Sequence, residues 1–157
     1  MQLCCYNLIV EIKRIKEVNQ ELINELNKTF VKGEPESKSE EWNLNNAKEF
    51  VDNPDNIFLL AYLENEIAGM LSAYKLQRMD CKRNEIFFYE IGVIKNYRQK
   101  GVGRGLIEEL KNIARDMDVC EMFVLTNRSN IAAMKLYETT GGVVSKEDDE
   151  VMFAYKI

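Results

Sequence analysis

The chain of 157 residues contains no histidine. This absence excludes a Ser-His-Asp triad, a Cys-His catalytic pair and any metal site with a histidine ligand, because each of these requires an imidazole. A general base in this chain must therefore be a carboxylate, a lysine, a tyrosine, a cysteine or a water molecule that one of them holds.

The cysteines lack the spacing of a metal site. The sequence has four of them, and Cys4, Cys5, Cys81 and Cys120 form no C-x-x-C pair. A structural zinc ion would require all four to converge, two of them from adjacent positions. We therefore predict no metal and interpret the four side chains as buried, reduced thiols that pack as small apolar groups.

Long apolar runs are also missing. No stretch approaches the ~20 apolar residues that cross a bilayer, and residues 1–10 lack the charged start and apolar segment of a signal peptide. The net charge of −5 argues against general binding to nucleic acids or anionic membranes and favours cationic partners. We expect a cytoplasmic protein, with no nucleic-acid or membrane partner, that forms a single domain over residues 1–157.

Hydrophobic periodicity predicts the order β-α-α-β-β-β-α-β-α-β-β, an α/β (α+β) fold with a mixed, mostly antiparallel sheet and about four helices. The predicted strands are 3–12, 56–64, 66–78, 85–93, 120–126, 143–145 and 151–157. The first predicted helix carries Ile15, Val18, Leu22, Leu26 and Phe30 on one face. The other helices are one capped by Ser39 and ending near Pro54, one opening at about Gly103, and one over 131–140 closed by Gly141. The later βαβ crossover implies one parallel strand pair.

A basic, glycine-rich segment follows the strand predicted over 85–93. It carries Lys95, Arg98, Lys100 and Arg104, and no acid lies between Ile94 and Leu106. Glycines let backbone N–H groups approach a ligand closely, and the helix that follows points its positive end at the same place. The segment therefore predicts a site for a ligand with several phosphates, while the alternative is a solvated basic turn.

The glycine spacing narrows the choice of ligand. No glycine precedes Lys-Ser or Lys-Thr, as a Walker loop requires, and Leu106 stands where a dinucleotide fingerprint needs its third glycine. The remaining pattern, Arg98-x-x-Gly101-x-Gly103, resembles the GNAT N-acetyltransferase superfamily, in which R/Q-x-x-G-x-G/A wraps the pyrophosphate of acetyl-CoA. The resemblance implies that acetyl-CoA is bound by Arg98, Gln99, Lys100, Gly101, Val102, Gly103, Arg104 and Gly105.

A second segment carries the same resemblance. Asn130, Ala133, Leu136, Tyr137 and Gly141 match the family pattern N-x-x-A-x-x-L-Y-x-x-x-G. The resemblance implies that Asn130 contacts the pantetheine arm and that Tyr137 is the general acid for the leaving thiolate. Without the family, the first would be interpreted as a helix N-cap and the second as a core aromatic residue.

The strand before the glycine turn supplies a candidate base. Glu90 interrupts an apolar run, and burial beside aromatic rings would raise its pKa toward the range useful for deprotonating an amine. The alternative is a structural ion pair or hydrogen bond within the sheet. We also predict a bulge at Gly92 that frees an amide for an oxyanion, and backbone at Ile91, Gly92 and Val93 that bonds the pantetheine arm. The alternative for Gly92 is close packing of a helix over the strand.

A narrower resemblance is carried by FLLAYLENEIAGMLSAYKL, EIFFYEIGV and MKLYETTGG, within residues 58–155. These segments look like the aminoglycoside 3-N-acetyltransferase branch, although that branch has Asp at the position of Glu90, followed by Leu-Ala. The branch implies a small cationic amine as acceptor, an aminoglycoside first among them, and the resemblance to the superfamily implies a homodimer as the expected assembly. Acids within 33–55 and 147–150 predict attraction of such a cation, or simply a solvated surface. The other interpretations are a polyamine or protein N-acetyltransferase and a non-catalytic acyl-CoA-binding module.

Overall fold

The computed structural model describes residues 9–33, 40–80 and 82–144. Its elements are β1 (Glu11–Arg14), α1 (Gln20–Leu26), a π-helical turn (Asn27–Lys32), α2 (Leu44–Asp52), β2 (Asn56–Leu63), β3 (Glu66–Leu76), β4 (Asn84–Val93), a 3₁₀ turn (Lys95–Tyr97), α3 (Val102–Asp116), β5 (Val119–Phe123) and α4 (Ile131–Thr139). The chain divides into two compact units, Met1–Leu125 and Thr126–Ile157, which are described separately below. Within the described ranges, no helix is both long and apolar enough to span a membrane.

The five strands form one sheet in the order β1-β2-β3-β4-β5. The first three pairs are antiparallel, and β4 pairs with β5 in parallel, which confirms the predicted mostly antiparallel sheet with one parallel pair. Glu64 and Asn65 join β2 to β3 with φ values of 54° and 66°. Two consecutive left-handed residues give a turn whose twist matches that of the flanking strands, so two residues are enough to connect them.

Helix α3 packs its apolar side on the sheet. Val102, Leu106, Leu110 and Ile113 are buried, as the helical spacing predicts. A β-carbon placed on Gly69 of β3 would lie 2.7 Å from Val102 Cγ1 and 2.9 Å from the carbonyl oxygen of Gly92. The helix therefore reaches its distance from the sheet only because Gly69 has no side chain.

We expect Gly69→Ala to lower the free energy of unfolding by about 1–3 kcal/mol, because the added methyl group forces apart packed atoms that include backbone. Gly92→Ala is the matched control, since its β-carbon would meet Met70 and Phe30 at an ordinary 3.6 Å. That variant should be neutral or gain up to about 1 kcal/mol. Urea unfolding of both variants measures the difference, and equal losses would contradict the packing described for α3.

Both early helices begin later than predicted, because asparagine side chains cap them. Asn19 Oδ1 accepts a hydrogen bond from Leu22 N at 2.8 Å, so α1 begins at Gln20. Ile15 lies before it and extends the pairing with β2, its N–H donating to Phe58 O at 2.8 Å. Asn43 caps α2 in the same way, whereas the predicted cap Ser39 lies outside the described residues.

Two further predictions concern the burial of the cysteines and the terminal strands. The thiol of Cys120 is exposed in β5, so its predicted burial is wrong, and the strand is partly exposed because only β4 pairs with it in the described part of the chain. The other three cysteines, residues 3–8 of the first predicted strand and nearly all of the terminal hairpin lie outside the described residues. Val143 and Val144 are described, and they belong to no strand.

Candidate active site

A β-bulge at Tyr89 decides where Glu90 lies. Ser72 of β3 pairs with Glu90 and Ala73 pairs with Phe88, so Tyr89 is one residue more than the register requires. In a regular strand the side chain of Glu90 would share the face of the buried Phe88. The extra residue brings it instead to the side of the sheet on which Tyr89 lies, where both line a cavity.

The predicted bulge at Gly92 is therefore misplaced. Gly92 pairs with Met70 in regular register, and a β-carbon there would lie 3.6 Å from the ring of Phe30. Because the amide of Ile94 donates to Ala68 O at 3.0 Å, the alternation along the strand points the amide of Gly92 to β3 as well. The π-helical turn that carries Phe30 packs over Gly92 at an ordinary contact distance, so close packing, the alternative interpretation, does not require a glycine at this position.

The cavity has a volume of about 270 Å³. It lies beside α2 and is lined by Val18, Glu41, Trp42, Asn43, Asn46, Ala47, Phe50, Val51, Phe58, Met70, Ser72, Tyr74, Tyr89 and Glu90. Its aromatic rings contact one another, with centroids 5.4 Å apart for Trp42 and Phe58, and 5.3 Å apart for Phe50 and Tyr74. Most of the wall formed by the described residues is therefore apolar, and it is interrupted by two carboxylates, two asparagines and Ser72.

Burial raises the pKa of the Glu90 carboxyl above its usual value. The side chain keeps contact with solvent at the edge of the cavity, but nearby protein atoms replace part of its hydration, which penalises the charged form. Burial, assisted by the charges of Tyr89 and Glu90, also raises the pKa of Tyr74. A carboxylate with a raised pKa is a stronger proton acceptor, as a general base requires.

Trp42 is held in the cavity wall by a side chain from the π-helical turn. Asn27 Nδ2 donates to the carbonyl oxygen of Trp42 at 3.1 Å, and the amide of Trp42 donates to Asn27 Oδ1 at 2.7 Å. Our sequence predictions did not include either residue. The one available signal was that Trp42 is the single tryptophan of the chain and lies among acids.

The glycine-rich segment turns sharply from β4 into α3. Gln99 and Gly101 have φ values of 62° and 85°, both in the left-handed region, and α3 begins at Val102, one residue before its predicted start. The first helical hydrogen bond here is donated by Gly105 to Gly101 O at 2.9 Å, so three amides precede it. The helix has no side-chain cap and no acid in its first turn, which suits an anion.

The last residues of β4 lie next to this turn. In the described residues, β5 does not pair with this end of β4, so one edge of the strand is unoccupied there. The β4–β5 pairing runs from Asn84 to Phe87. Because the amide of Ile94 points to β3, alternation directs the amides of Ile91 and Val93 to the opposite edge. Arg98 Nε donates to the carbonyl oxygen of Val93 at 3.0 Å and so ties the basic turn to that strand end.

The second unit contains α4 and its two candidate residues. Asn130 Oδ1 accepts from the amide of Ala133 at 3.2 Å, which makes Asn130 the N-cap that its position suggested. Tyr137 is half-buried, and burial raises the pKa of its phenol. The helix ends as predicted, because Gly141 has a φ of 89° and the amide of Gly142 donates to Tyr137 O at 2.8 Å.

A mixed sheet, a basic glycine turn opening a helix and an acid beside a cavity form the architecture of an acyltransferase. A family model described as Acetyltransferase (GNAT) family matches residues 19–141. The chain belongs to this family.

The curated relatives are named N-acetyltransferases. Human N-acetyltransferase 8 is 22% identical over 95 residues, which are 60% of this chain and 42% of that protein. YycN of Bacillus subtilis (strain 168), named an uncharacterized N-acetyltransferase, is 30% identical over 97 residues, 62% of this chain and 59% of that protein. The chain thus matches only about half the length of these relatives.

Solved structures confirm the fold over nearly the whole chain. An aminoglycoside acetyltransferase from an uncultured soil metagenomic sample, in complex with sisomicin, has a TM-score of 0.81 and 20% identity, covering 94% of this chain and 96% of its own. Aminoglycoside N-acetyltransferase AAC(6′)-Iy in complex with CoA has a TM-score of 0.74 and 18% identity, covering 98% and 99%. At these identities the likeness establishes the fold alone.

Proposed function

We propose that this protein transfers an acetyl group from acetyl-CoA to a primary amine of a small cationic molecule. The observation that carries the proposal is the bulge at Tyr89, which brings Glu90 into the cavity on the same strand whose end meets the basic turn. Acceptor and acetyl donor would then meet along the last residues of β4.

The basic turn fits the diphosphate of coenzyme A. The amides of the first helical turn can donate hydrogen bonds to phosphate oxygens, and the cations of the segment supply positive charge. The first turn of α3 has no acid that would repel the phosphates. A β-carbon on Gly101 would meet no atom within 4 Å, so the turn leaves room for a ligand. Residues 98–105 would hold the diphosphate, and the edge amides of Ile91 and Val93 would bond the pantetheine arm. Acetyl-CoA supplies the thioester whose carbonyl the amine attacks.

Glu90 is proposed as the base. An alkylamine like that of lysine has a pKa of about 10.4 and is protonated near neutral pH. Glu90 would accept its proton, directly or through a water molecule, so that the nitrogen lone pair can attack the carbonyl. The C–N bond forms and the C–S bond breaks without an acyl-enzyme intermediate. The phenol of Tyr137 is proposed to give a proton to the departing sulfur.

We expect Tyr137→Phe to lower kcat by about 10- to 100-fold, with little change in affinity for acetyl-CoA. The effect should be smaller than that of losing the base, because a thiol with a pKa of about 8.5 departs readily without a proton. Tyr62→Phe is the control, since Tyr62 does not line the cavity. Thiol release measures the rates, and a Tyr137→Phe enzyme as fast as wild type would remove the acid role.

An aminoglycoside as this acceptor is supported by the resemblance of the sequence to that branch, because the fold of the neighbours does not distinguish one amine from another. The acids of residues 40–55 add little, because only Glu41 among them lines the cavity, and it pairs with Lys32 at 3.2 Å. Asp55 pairs with Lys75. The homodimer and the cytoplasmic location stay predictions.

Two measurements, acetyl-CoA binding and thiol release, test the proposed function. Calorimetry should detect acetyl-CoA binding, and thiol release should then appear with at least one member of a panel of aminoglycosides, polyamines, arylalkylamines and peptides. Binding of acetyl-CoA without thiol release for any amine would favour a non-catalytic acyl-CoA-binding module. The absence of binding would overturn the cofactor site itself.

A further inference from the structure

We infer that the acceptor is a monoamine on a short apolar body with a single ring, such as an arylalkylamine, rather than a polycation. The inference deepens the proposed function and rests on it. It concerns only the cavity beside α2, whose lining residues all belong to the unit Met1–Leu125.

The size of the cavity limits the acceptor. A cavity of about 150 Å³ is enough for benzene, whereas pockets for drug-sized ligands have volumes of about 300–1,000 Å³. The cavity beside α2, at about 270 Å³, lies between these values. It has room for one ring and a short aminoalkyl arm, and a molecule of several linked sugar rings would extend well beyond it.

The polarity of the wall determines how the acceptor is oriented in the cavity. Val18, Phe58 and Met70 are 9%, 4% and 2% exposed, so the innermost part of the cavity is apolar. Tyr89 and Glu90 are exposed and lie at its edge. An amine that gives its proton to Glu90 must therefore stay at the edge, and the rest of the molecule enters among apolar side chains. Burying a ring there is favourable, whereas burying a second ammonium group is costly.

The charges of the cavity wall also favour an acceptor with a single ammonium group. Among the lining residues in the described part of the chain, the acids are Glu41 and Glu90, and Glu41 pairs with Lys32. A polyamine or an aminoglycoside carries several ammonium groups, and each needs a carboxylate or water when it leaves bulk solvent. One carboxylate with a raised pKa and the faces of the tyrosine rings suffice for a single ammonium group.

The ring of Trp42 is the specificity element that a variant can remove. It contacts the ring of Phe58, and Asn27 holds its backbone rather than its side chain. Trp42→Leu thus deletes an aromatic wall and keeps the anchor of the segment. Tyr62→Leu is the matched control, because Tyr62 packs against the same buried cluster and does not line the cavity.

The experiment measures kcat and KM with acetyl-CoA and four amines: phenethylamine, n-butylamine, spermidine and an aminoglycoside such as sisomicin. We expect phenethylamine to have the highest kcat/KM, at least tenfold above the other three. Trp42→Leu should weaken the apparent affinity for phenethylamine about tenfold or more, with that for acetyl-CoA unchanged, and Tyr62→Leu should change neither by more than about twofold.

Each outcome separates the two proposals. If spermidine or the aminoglycoside has the highest kcat/KM, or if Trp42→Leu binds phenethylamine as well as wild type does, the acceptor class is wrong and the acetyltransferase proposal stands. If no amine releases thiol from an enzyme that binds acetyl-CoA, the proposed function fails. A Trp42→Leu protein that does not fold is replaced by Phe50→Leu, another aromatic wall residue of the cavity.

Discussion

Replacing Glu90 with glutamine should lower kcat/KM for the amine by about 10²- to 10⁴-fold and leave the affinity for acetyl-CoA unchanged. Glutamine has the shape of glutamate but cannot accept a proton from an ammonium group. Glu41→Gln is the control, because Glu41 is the second acid among the described lining residues and pairs with Lys32. We expect that variant to lose less than about threefold.

The role of Glu90 as base also predicts the direction in which the rate changes with pH. Burial raises the pKa of Glu90, so the wild-type rate should fall as the pH falls through that raised pKa, where the base becomes protonated. The glutamine variant should lose this acidic limb. It should also be no less stable than wild type at neutral pH, since a carboxyl whose folded pKa is raised gives up stability as it ionises. An unchanged acidic limb would assign the titration to another group.

Reversing the charge of Arg104 should separate cofactor binding from folding. This exposed residue is the third of α3, beside the amides proposed to bind the diphosphate. A glutamate near a helix N-terminus stabilises the helix by about 0.3–1 kcal/mol, whereas it repels phosphate. We therefore expect Arg104→Glu to weaken acetyl-CoA binding on the order of 100-fold while the free energy of unfolding stays equal or rises.

The control lies at the other end of the same helix. Arg115 is in the last turn of α3, so Arg115→Glu makes the same change of charge far from the basic turn. It should destabilise the protein slightly, because an acid at a helix C-terminus is unfavourable, and leave acetyl-CoA affinity within about twofold. Calorimetry and urea unfolding measure both variants. Equal losses of affinity would show that only net charge matters and would remove the phosphate site from the turn.

The elements and the basic turn could be predicted from the sequence because their signals are local. The apolar side of α3 follows helical spacing, and Gly101 has a left-handed backbone, which glycine adopts without steric cost. The hairpin between β2 and β3 and the close of α4 at Gly141 likewise depend on a few adjacent residues. Asn19 and Asn43 show where this approach fails, since several nearby polar residues compete to cap each helix.

The cavity could not be predicted, because its walls come from distant parts of the chain. Trp42, Phe58, Tyr74 and Tyr89 meet only after β2, β3 and β4 pair and α2 packs beside them. The bulge is also a property of pairing, since it exists only relative to β3. Glycine is the local sign of irregularity in a strand, yet Gly92 pairs with Met70 in regular register.

The extra residue in β4 has a consequence for comparisons among relatives. Tyr89 changes which side of the sheet each later residue of the strand faces. Residues after Tyr89 must therefore be matched to those of a relative by counting from the C-terminal end of the strand. A relative without this extra residue would present its acid one position away, and an ungapped alignment would pair Glu90 with a neighbour that faces the opposite side of the sheet. Catalytic acids in such strands are therefore best matched by the direction in which they point, and a chimera that exchanges this strand must keep the insertion.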